Sequence, residues 1–90
     1  MEIAICFYTL ETWKELKKVA ADKKKLDDSY EDWLIGFNNA ITTFKGQGFK
    51  LVVIKVDIKD LQLWCSEHNF KNDGGNRAKY ASEMAMKLQG

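Results

Sequence analysis

Two short stretches of the chain have the apolar, period-two pattern of β-strands, which predicts two strands. Residues 49–57, FKLVVIKVD, form the only long β-branched run, and we expect them to be a buried strand. One face of that strand consists of Val52, Ile54 and Val56, and the other of Leu51, Val53, Lys55 and Asp57. The first face is wholly apolar, whereas the second turns charged at Lys55. Residues 3–8 are apolar on both faces and predict another buried strand.

Four other segments carry apolar residues at helical spacing, which predicts four amphipathic helices. The four stripes are Leu10, Trp13, Leu16 and Ala20; Tyr30, Trp33, Leu34, Phe37, Ala40, Ile41 and Phe44; Ile58, Leu61, Trp64, Cys65 and His68; and Tyr80, Ala81, Met84, Ala85 and Leu88. The second stripe is the most regular of the four. The chain contains no proline, so nothing in it interrupts these helices.

Short polar residues and glycines indicate where the helices begin and end. Thr12 with Glu15 fits a capping box, although Thr9 would cap a helix that starts one turn earlier. The other expected starts are Asp28 or Ser29, Asp57 and Asp73, and the expected ends are Gly46 with Gly48, and Asn69 followed by Phe70.

The predicted order of elements is βααβαα, which indicates a single α/β domain over residues 1–90. Two strands joined by a helical crossover should be parallel, so we expect a small two-stranded parallel sheet with two helical hairpins. Such a sheet has two open edges. We therefore expect a homodimer, formed either by pairing strands into a four-stranded sheet or by packing aromatic helix faces around a two-fold axis. The interface candidates are Val53, Lys55 and Asp57.

Composition and charge give little indication of a partner. The chain has 14 basic and 13 acidic residues and a formal net charge of +1, which gives no general attraction to nucleic acid or anionic membranes. The two cysteines, Cys6 and Cys65, lie far apart in apolar contexts and read as reduced thiols, although one bridge between them is an alternative. The start lacks the basic flank of a signal peptide, and no apolar stretch is long enough to span a membrane. We expect a cytoplasmic protein.

Cys65 and His68 are the first candidate for chemistry. Three positions apart on a helix, they share one face, which is the geometry of a thiol activated by an imidazole or of half a metal site. His68 is the only histidine in the chain, and no further ligands stand nearby. The sequence therefore predicts no metal site, and a helix-terminal or surface histidine is the simpler interpretation.

The second candidate is an anion site at the start of the last helix. Asp73, Gly74 and Gly75 open that helix, and Arg77 follows within its first turn. Backbone N–H groups at a helix N-terminus and an arginine together attract phosphate or carboxylate. The spacing matches neither the Walker loop nor the dinucleotide fingerprint, so the alternative is an aspartate cap in a permissive turn.

The third candidate is a lysine-rich stretch that offers a nucleic-acid contact. It comprises Lys14, Lys17, Lys18, Lys23, Lys24 and Lys25. Basic residues with aromatic neighbours bind nucleic acid through phosphate contacts and base stacking. Here the aromatic neighbour Trp13 belongs to a core stripe, and four acids follow at once, so a solvated helix face is the alternative.

Several short segments spread over most of the chain form a set. They are Phe7-Tyr8-Thr9, Val19-Ala20-Ala21-Asp22, Tyr30-Glu31-Asp32-Trp33, Val56-Asp57, Trp64-Cys65, and Asn72-Asp73 with Arg77 and Ala81-Ser82. Together they resemble a family of small uncharacterised bacterial proteins. That family has no assigned activity, so the resemblance implies a bacterial, cytosolic origin and no particular site residue.

No motif in the sequence indicates catalysis, and no cofactor is expected. The sequence therefore favours a small cytosolic protein-interaction module that self-associates and is not an enzyme. The alternatives are a nucleic-acid-binding accessory protein that uses Lys14 to Lys25, and a binder of a small anion or small molecule near Arg77, His68 and Cys65.

Overall fold

The computed structural model describes residues 2–89, so Met1 and Gly90 of the predicted domain lie outside the described residues. The chain forms β1 (Glu2–Phe7), α1 (Leu10–Val19), a short 3-10 helix (Lys23–Lys25), α2 (Tyr30–Gly46), β2 (Lys50–Lys55), α3 (Ile58–Glu67) and α4 (Gly74–Gln89). The predicted α/β fold with the order βααβαα is confirmed. The short 3-10 helix lies in the connector between α1 and α2.

The sheet consists of β1 and β2, which are parallel and in register from Glu2 opposite Lys50 to Phe7 opposite Lys55. The predicted second strand was too long at both ends. Phe49 belongs to the end of α2, where its N–H donates to the Phe44 carbonyl at 3.0 Å. Asp57 instead caps α3, since its side chain accepts the Asp60 N–H at 3.0 Å. The same kind of side-chain cap starts the other helices.

The N-cap hydrogen bonds show which of the alternative helix starts is correct. Thr9 is the N-cap of α1, and its capping box uses Thr12 rather than Glu15. Ser29 caps α2 by accepting the Asp32 N–H at 3.1 Å. The first turn of α4 follows Asp73, whose carboxylate accepts the Asn76 N–H at 3.0 Å.

Two helices end in the same hydrogen-bonded turn, with one residue in the left-handed region. In α2 that residue is Gly48, with φ of 86°, and in α3 it is Asn69, with φ of 56°. The Phe70 N–H donates to the Cys65 carbonyl at 2.9 Å, and the Phe70 and Trp64 rings pack with centroids 5.6 Å apart. Phe70 therefore folds back on the end of α3 at the predicted helix end, and this turn leads the chain from α3 to α4.

The two faces of the sheet are covered unequally. On one face Ile54 packs with Ala81 and Ala85 of α4, and these three residues are buried. On the other face Phe7 contacts Trp33 and Phe37 of α2, yet no residue of α2 is fully buried. The main core lies at the carboxyl ends of the strands, where α1, α3 and α4 meet. Its buried members are Tyr8, Trp13, Leu16, Ala20, Val56, Ile58, Leu61, Trp64, Cys65 and Tyr80.

Three residues of the predicted core stripes are exposed. Leu10, His68 and Leu88 lie at helix ends, where the helix has passed the edge of the structure it packs against. Helical periodicity alone does not show where along a helix the packing against the rest of the protein ends. Leu88 is the largest departure, with 74% of its surface exposed. None of the helices in residues 2–89 combines the length and apolar character needed to cross a membrane.

Candidate functional site

The free edge of β2 is the part of the sheet most open to another chain. The Val56 N–H donates to the Phe7 carbonyl at 3.1 Å, so the even-numbered residues of β2 turn their backbone groups toward β1. Because backbone groups alternate in direction along a strand, Leu51, Val53 and Lys55 turn theirs away from β1. Among residues 2–89 the sheet has no third strand. These outward N–H and C=O groups therefore form an unpaired edge.

Val53 lies at the centre of this edge and is 47% exposed. A valine in the middle of a strand is more often buried, because its branched side chain packs well on a sheet. On this face of β2, exposure to solvent therefore begins at Val53, two residues before the charged residue Lys55, where the sequence had indicated it. The result is an edge with an apolar centre and a charged end.

A groove of about 510 Å³ runs beside this edge, between β2 and the second half of α4. Its walls combine apolar and charged side chains: Val53, Ile54, Lys55, Asp57, Asp60, Tyr80, Met84, Lys87 and Leu88. The apolar members come from both walls, Val53 and Ile54 from β2 and Tyr80, Met84 and Leu88 from α4, and Asp57 and Asp60 lie at the carboxyl end of the strand. The groove exists because α4 packs mainly over β1 and leaves β2 partly uncovered.

The opposite edge of the sheet, along β1, is partly closed by side chains. The Tyr30 hydroxyl donates to the Tyr8 carbonyl at 2.8 Å, which satisfies an outward backbone group of that edge. The Cys6 thiol donates to the Arg77 carbonyl at 3.5 Å and so ties β1 to α4 on the face of the sheet. Trp33 and Arg77 flank a smaller groove there, of about 270 Å³. The edge of β2 has no such side-chain cover.

Of the three interface candidates, Val53 and Lys55 lie on this edge, and both are exposed. Asp57 lies just beyond it, as the cap of α3, and lines the groove. The sequence did not identify the opposite wall, formed by Met84 and Leu88. The available signal was the position of Leu88 at the last turn of a helix, where a core stripe often loses its cover.

The candidate anion site holds a carboxylate of the chain itself. The Arg77 guanidinium donates to both oxygens of Asp22, at 2.9 and 2.8 Å, and the Gly74 N–H donates to the second oxygen at 3.1 Å. Asn72 also accepts from Arg77, through its backbone and side-chain oxygens at 3.1 and 3.0 Å. The groups expected to bind an external anion thus hold Asp22. Asp73 caps the helix, and Gly75 makes no contact with the carboxylate.

The Arg77–Asp22 pair fills the candidate anion site and also links two distant parts of the chain. Arg77 is 7% exposed, and its hydrogen bonds hold the pKa of Asp22 below the usual value, with a further contribution from its positive charge. The Ala21 N–H donates to the Asn72 carbonyl at 2.8 Å beside it. The connector after α1 is therefore fixed to the start of α4. An external anion would have to displace Asp22.

Cys65 and His68 share a helix but point to different environments. Cys65 is 3% exposed in the main core, and burial raises the pKa of its thiol. The exposed His68 ring donates from Nδ1 to the Trp64 carbonyl at 2.8 Å and stacks on Phe70. No hydrogen bond joins the thiol and the imidazole, both of which are described. A thiol with a raised pKa is a weaker nucleophile at neutral pH than an activated one.

The six lysines of the basic stretch lie on α1 and the 3-10 helix. Lys14, Lys18 and the three lysines Lys23 to Lys25 are exposed. Lys17 is half-buried, because its ammonium lies 4.9 Å from the Trp13 ring centroid and donates to the Asp27 carbonyl at 2.9 Å. Trp13 is buried in the core, so its ring is not available to stack on a base beside the lysines. Nucleic-acid binding stays a prediction.

Within residues 2–89 no group of three or more His, Cys, Asp and Glu side chains is arranged to hold a metal ion. Cys6 and Cys65 are both free thiols.

No protein-family model, curated protein or solved structure matches this sequence. The resemblance to small uncharacterised bacterial proteins stays a prediction, and the geometry of the chain carries the functional argument.

Proposed function

We propose that this protein is a non-catalytic protein-interaction module that associates with a second copy of itself along the free edge of β2. The observation that carries the proposal is the exposed Val53 at the centre of a strand edge that has no partner strand within residues 2–89. An unpaired edge with an apolar centre is a template for another strand. The bacterial origin and the cytoplasmic location are expected from the sequence, and both remain predictions.

The small size of the sheet supports the same assignment. A sheet of two strands is marginal by itself, and pairing with another strand satisfies the outward N–H and C=O groups of β2. It also removes the Val53 side chain and the groove wall at Leu88 from water. Packing of the aromatic face of α2 against a second α2 is the other arrangement of a dimer. That face is half-covered by Phe7 and its neighbours, whereas the backbone of the β2 edge is open.

Sedimentation equilibrium tests the proposal directly, over about 1 to 100 μM, the range in which modest dimers form. We expect the wild-type chain to shift from monomer to dimer with concentration. Val53→Lys should remain monomeric over the same range, because it places a charge at the centre of the edge. Since Val53 is already half-exposed, the variant should keep the circular dichroism spectrum of the wild type.

Leu63→Lys is the matched control, because Leu63 is an exposed apolar residue on α3, outside the groove beside β2. It should dimerise like the wild type. A wild-type chain that stays monomeric throughout, or a Val53→Lys chain that dimerises as well as the wild type, would reject the proposal.

A further inference from the structure

The edge of β2 is complementary to itself about Val53. Building on the proposed self-association, we infer that two copies pair their β2 strands antiparallel, with Val53 of one copy directly opposite Val53 of the other. A two-fold axis then passes through the Val53 pair, perpendicular to the sheet. The product is one four-stranded sheet in the order β1-β2-β2-β1.

This register uses every outward backbone group of the strand. Leu51 lies opposite Lys55 of the second copy, Val53 opposite Val53, and Lys55 opposite Leu51. All three pairs have N–H and C=O groups that point away from β1, so each is a hydrogen-bonded pair that exchanges two bonds. The pairing therefore forms about six new backbone hydrogen bonds.

The neighbouring registers are poorer for identifiable reasons. Sliding one copy so that Lys55 faces Lys55 places like charges directly opposite each other, which is destabilising. Sliding it the other way, until Leu51 faces Leu51, puts Phe49 opposite Val53, and Phe49 belongs to the turn that ends α2. A shift by one residue would place odd-numbered residues opposite even-numbered ones. The outward N–H and C=O groups of one copy would then lie opposite backbone groups that are already bonded to β1. The Val53 register avoids all three faults.

Side chains on both faces agree with this arrangement. Residues directly opposite each other in an antiparallel pair point to the same face. Both α2 helices therefore lie on one face of the joint sheet, and both α4 helices lie on the other. On the α4 face, Val52 of the second copy lies opposite Ile54 and remains packed against its own α4, which places it next to the groove that Met84 and Leu88 line. The exposed Leu88 thereby acquires an apolar neighbour.

Charge at the end of the groove also fits. In this register Lys50 of the second copy lies opposite Val56, at the carboxyl end of β2. Asp57 and Asp60 line the groove at that end. In the single copy Lys50 lies 3.6 Å from a carboxylate oxygen of Glu2, but its side chain is 79% exposed and is long enough to reach across neighbouring positions instead. The two symmetric ends of the pairing thus each bring a lysine toward two carboxylates.

Disulfide trapping tests the register. Opposed Cα atoms in a hydrogen-bonded pair are about 5.5 Å apart, within the range of about 4.4 to 6.8 Å that a disulfide spans. Val53→Cys should therefore form a covalent dimer under mild oxidation with copper phenanthroline. Lys55→Cys lies on the same edge, but its two copies are four residues out of register, about 13 Å apart at roughly 3.4 Å per residue. It should not link.

The wild-type chain, with Cys6 and Cys65 only, controls for the native thiols and should stay non-covalent. Ile35→Cys, on the exposed side of α2, reports on a dimer built through helix faces. If the protein dimerises but Lys55→Cys links in place of Val53→Cys, the inferred register is wrong and the proposed association along the β2 edge stands. If Ile35→Cys links instead, the dimer forms through helix faces, and both the register and the proposed edge association are wrong. If no dimer forms by sedimentation, both are wrong.

Amide hydrogen exchange on the wild type supplies a second, mutation-free measurement. The Val53 amide should exchange at least about tenfold more slowly in a concentrated sample than in a dilute one, because dimerisation buries it in a hydrogen-bonded pair. The Ala4 amide, which points outward from β1, should not change. Equal exchange of the Val53 amide at both concentrations, in a sample shown to be dimeric, would also overturn the register.

Discussion

Arg77 holds Asp22 through two parallel hydrogen bonds of 2.9 and 2.8 Å, across 55 positions of the chain. The side chains of both residues are largely buried, with 9% and 16% of their surfaces exposed. The pair joins the connector after α1 to the first turn of α4. Paired, buried charges are costly to break, because the remaining charge has no equivalent partner.

Asp22→Asn tests how much this pair contributes to stability. The variant keeps one acceptor for Arg77 but removes the negative charge, so we expect the free energy of unfolding to fall by about 2 kcal/mol at pH 7. Urea denaturation followed by tryptophan fluorescence measures the change. Asp27→Asn removes an exposed carboxylate from the same connector and should change stability little. Equal stability of the two variants would contradict the prediction.

The same pair predicts a dependence on pH. The folded protein holds the pKa of Asp22 below its unfolded value of about 3.9, so the stabilisation is present above that pH. It is lost as the pH falls through the lower, folded pKa. The difference in unfolding free energy between the wild type and Asp22→Asn should therefore be constant near neutral pH and shrink below about pH 4. A difference that persists unchanged in acid would rule out the charge as its origin.

Two buried tyrosines predict the opposite dependence at alkaline pH. Burial raises the pKa of both Tyr8 and Tyr80, and the hydrogen bond to Asp60, 2.6 Å long, raises that of Tyr80 further. Their neutral forms stabilise the fold below the unfolded pKa of about 10, and this is lost as the pH rises toward the folded values. Between about pH 9 and 11, the Tyr8→Phe, Tyr80→Phe double variant should lose less unfolding free energy than the wild type.

A glycine inside α2 and a glycine in the turn that follows it should respond oppositely to alanine. Gly48 has φ of 86°, so a side chain there is strained, and Gly48→Ala should lower the unfolding free energy by about 1 kcal/mol. Gly36 is exposed inside the helix with nothing within 4 Å of an added Cβ. Gly36→Ala should raise it by about 0.5 to 1 kcal/mol. Thermal denaturation of the two variants compares them, and a shift of the same sign for both would refute the assignment.

The Cys65 thiol should react slowly in the folded protein. It is buried and its pKa is raised, so labelling with a disulfide reagent at pH 7.5 should require unfolding or opening of the core. Burial raises the pKa of the Cys6 thiol as well, but Cys6 is only half-buried, so it should react faster than Cys65. His68→Ala should leave the labelling rate of Cys65 unchanged, because no hydrogen bond joins the two side chains. A rate that falls in the His68→Ala variant would restore the thiol and imidazole pair as a chemical unit.

Local features of the fold were accessible from the sequence because short-range chemistry sets them. The alternation of residues 3–8 and 49–57 identified both strands, and a residue such as Asn69 marked a helix end through its own backbone preference. The edge residues Val53 and Lys55 followed from alternation and from counting strands. For α1 the sequence left two starts open, Thr12 with Glu15 or Thr9, and it did not indicate that Thr12 completes the capping box of Thr9.

Contacts between distant parts of the chain were decided by the tertiary structure. Periodicity placed Leu88 in the core stripe of α4, but Leu88 lies in the last turn of the helix and is 74% exposed. Arg77 was recognised as an anion binder, yet nothing local shows that Asp22 is its anion. The pattern around β2 showed that an edge existed. Only the position of α4 over β1 showed that this edge, with Val53 at its centre, is the open one.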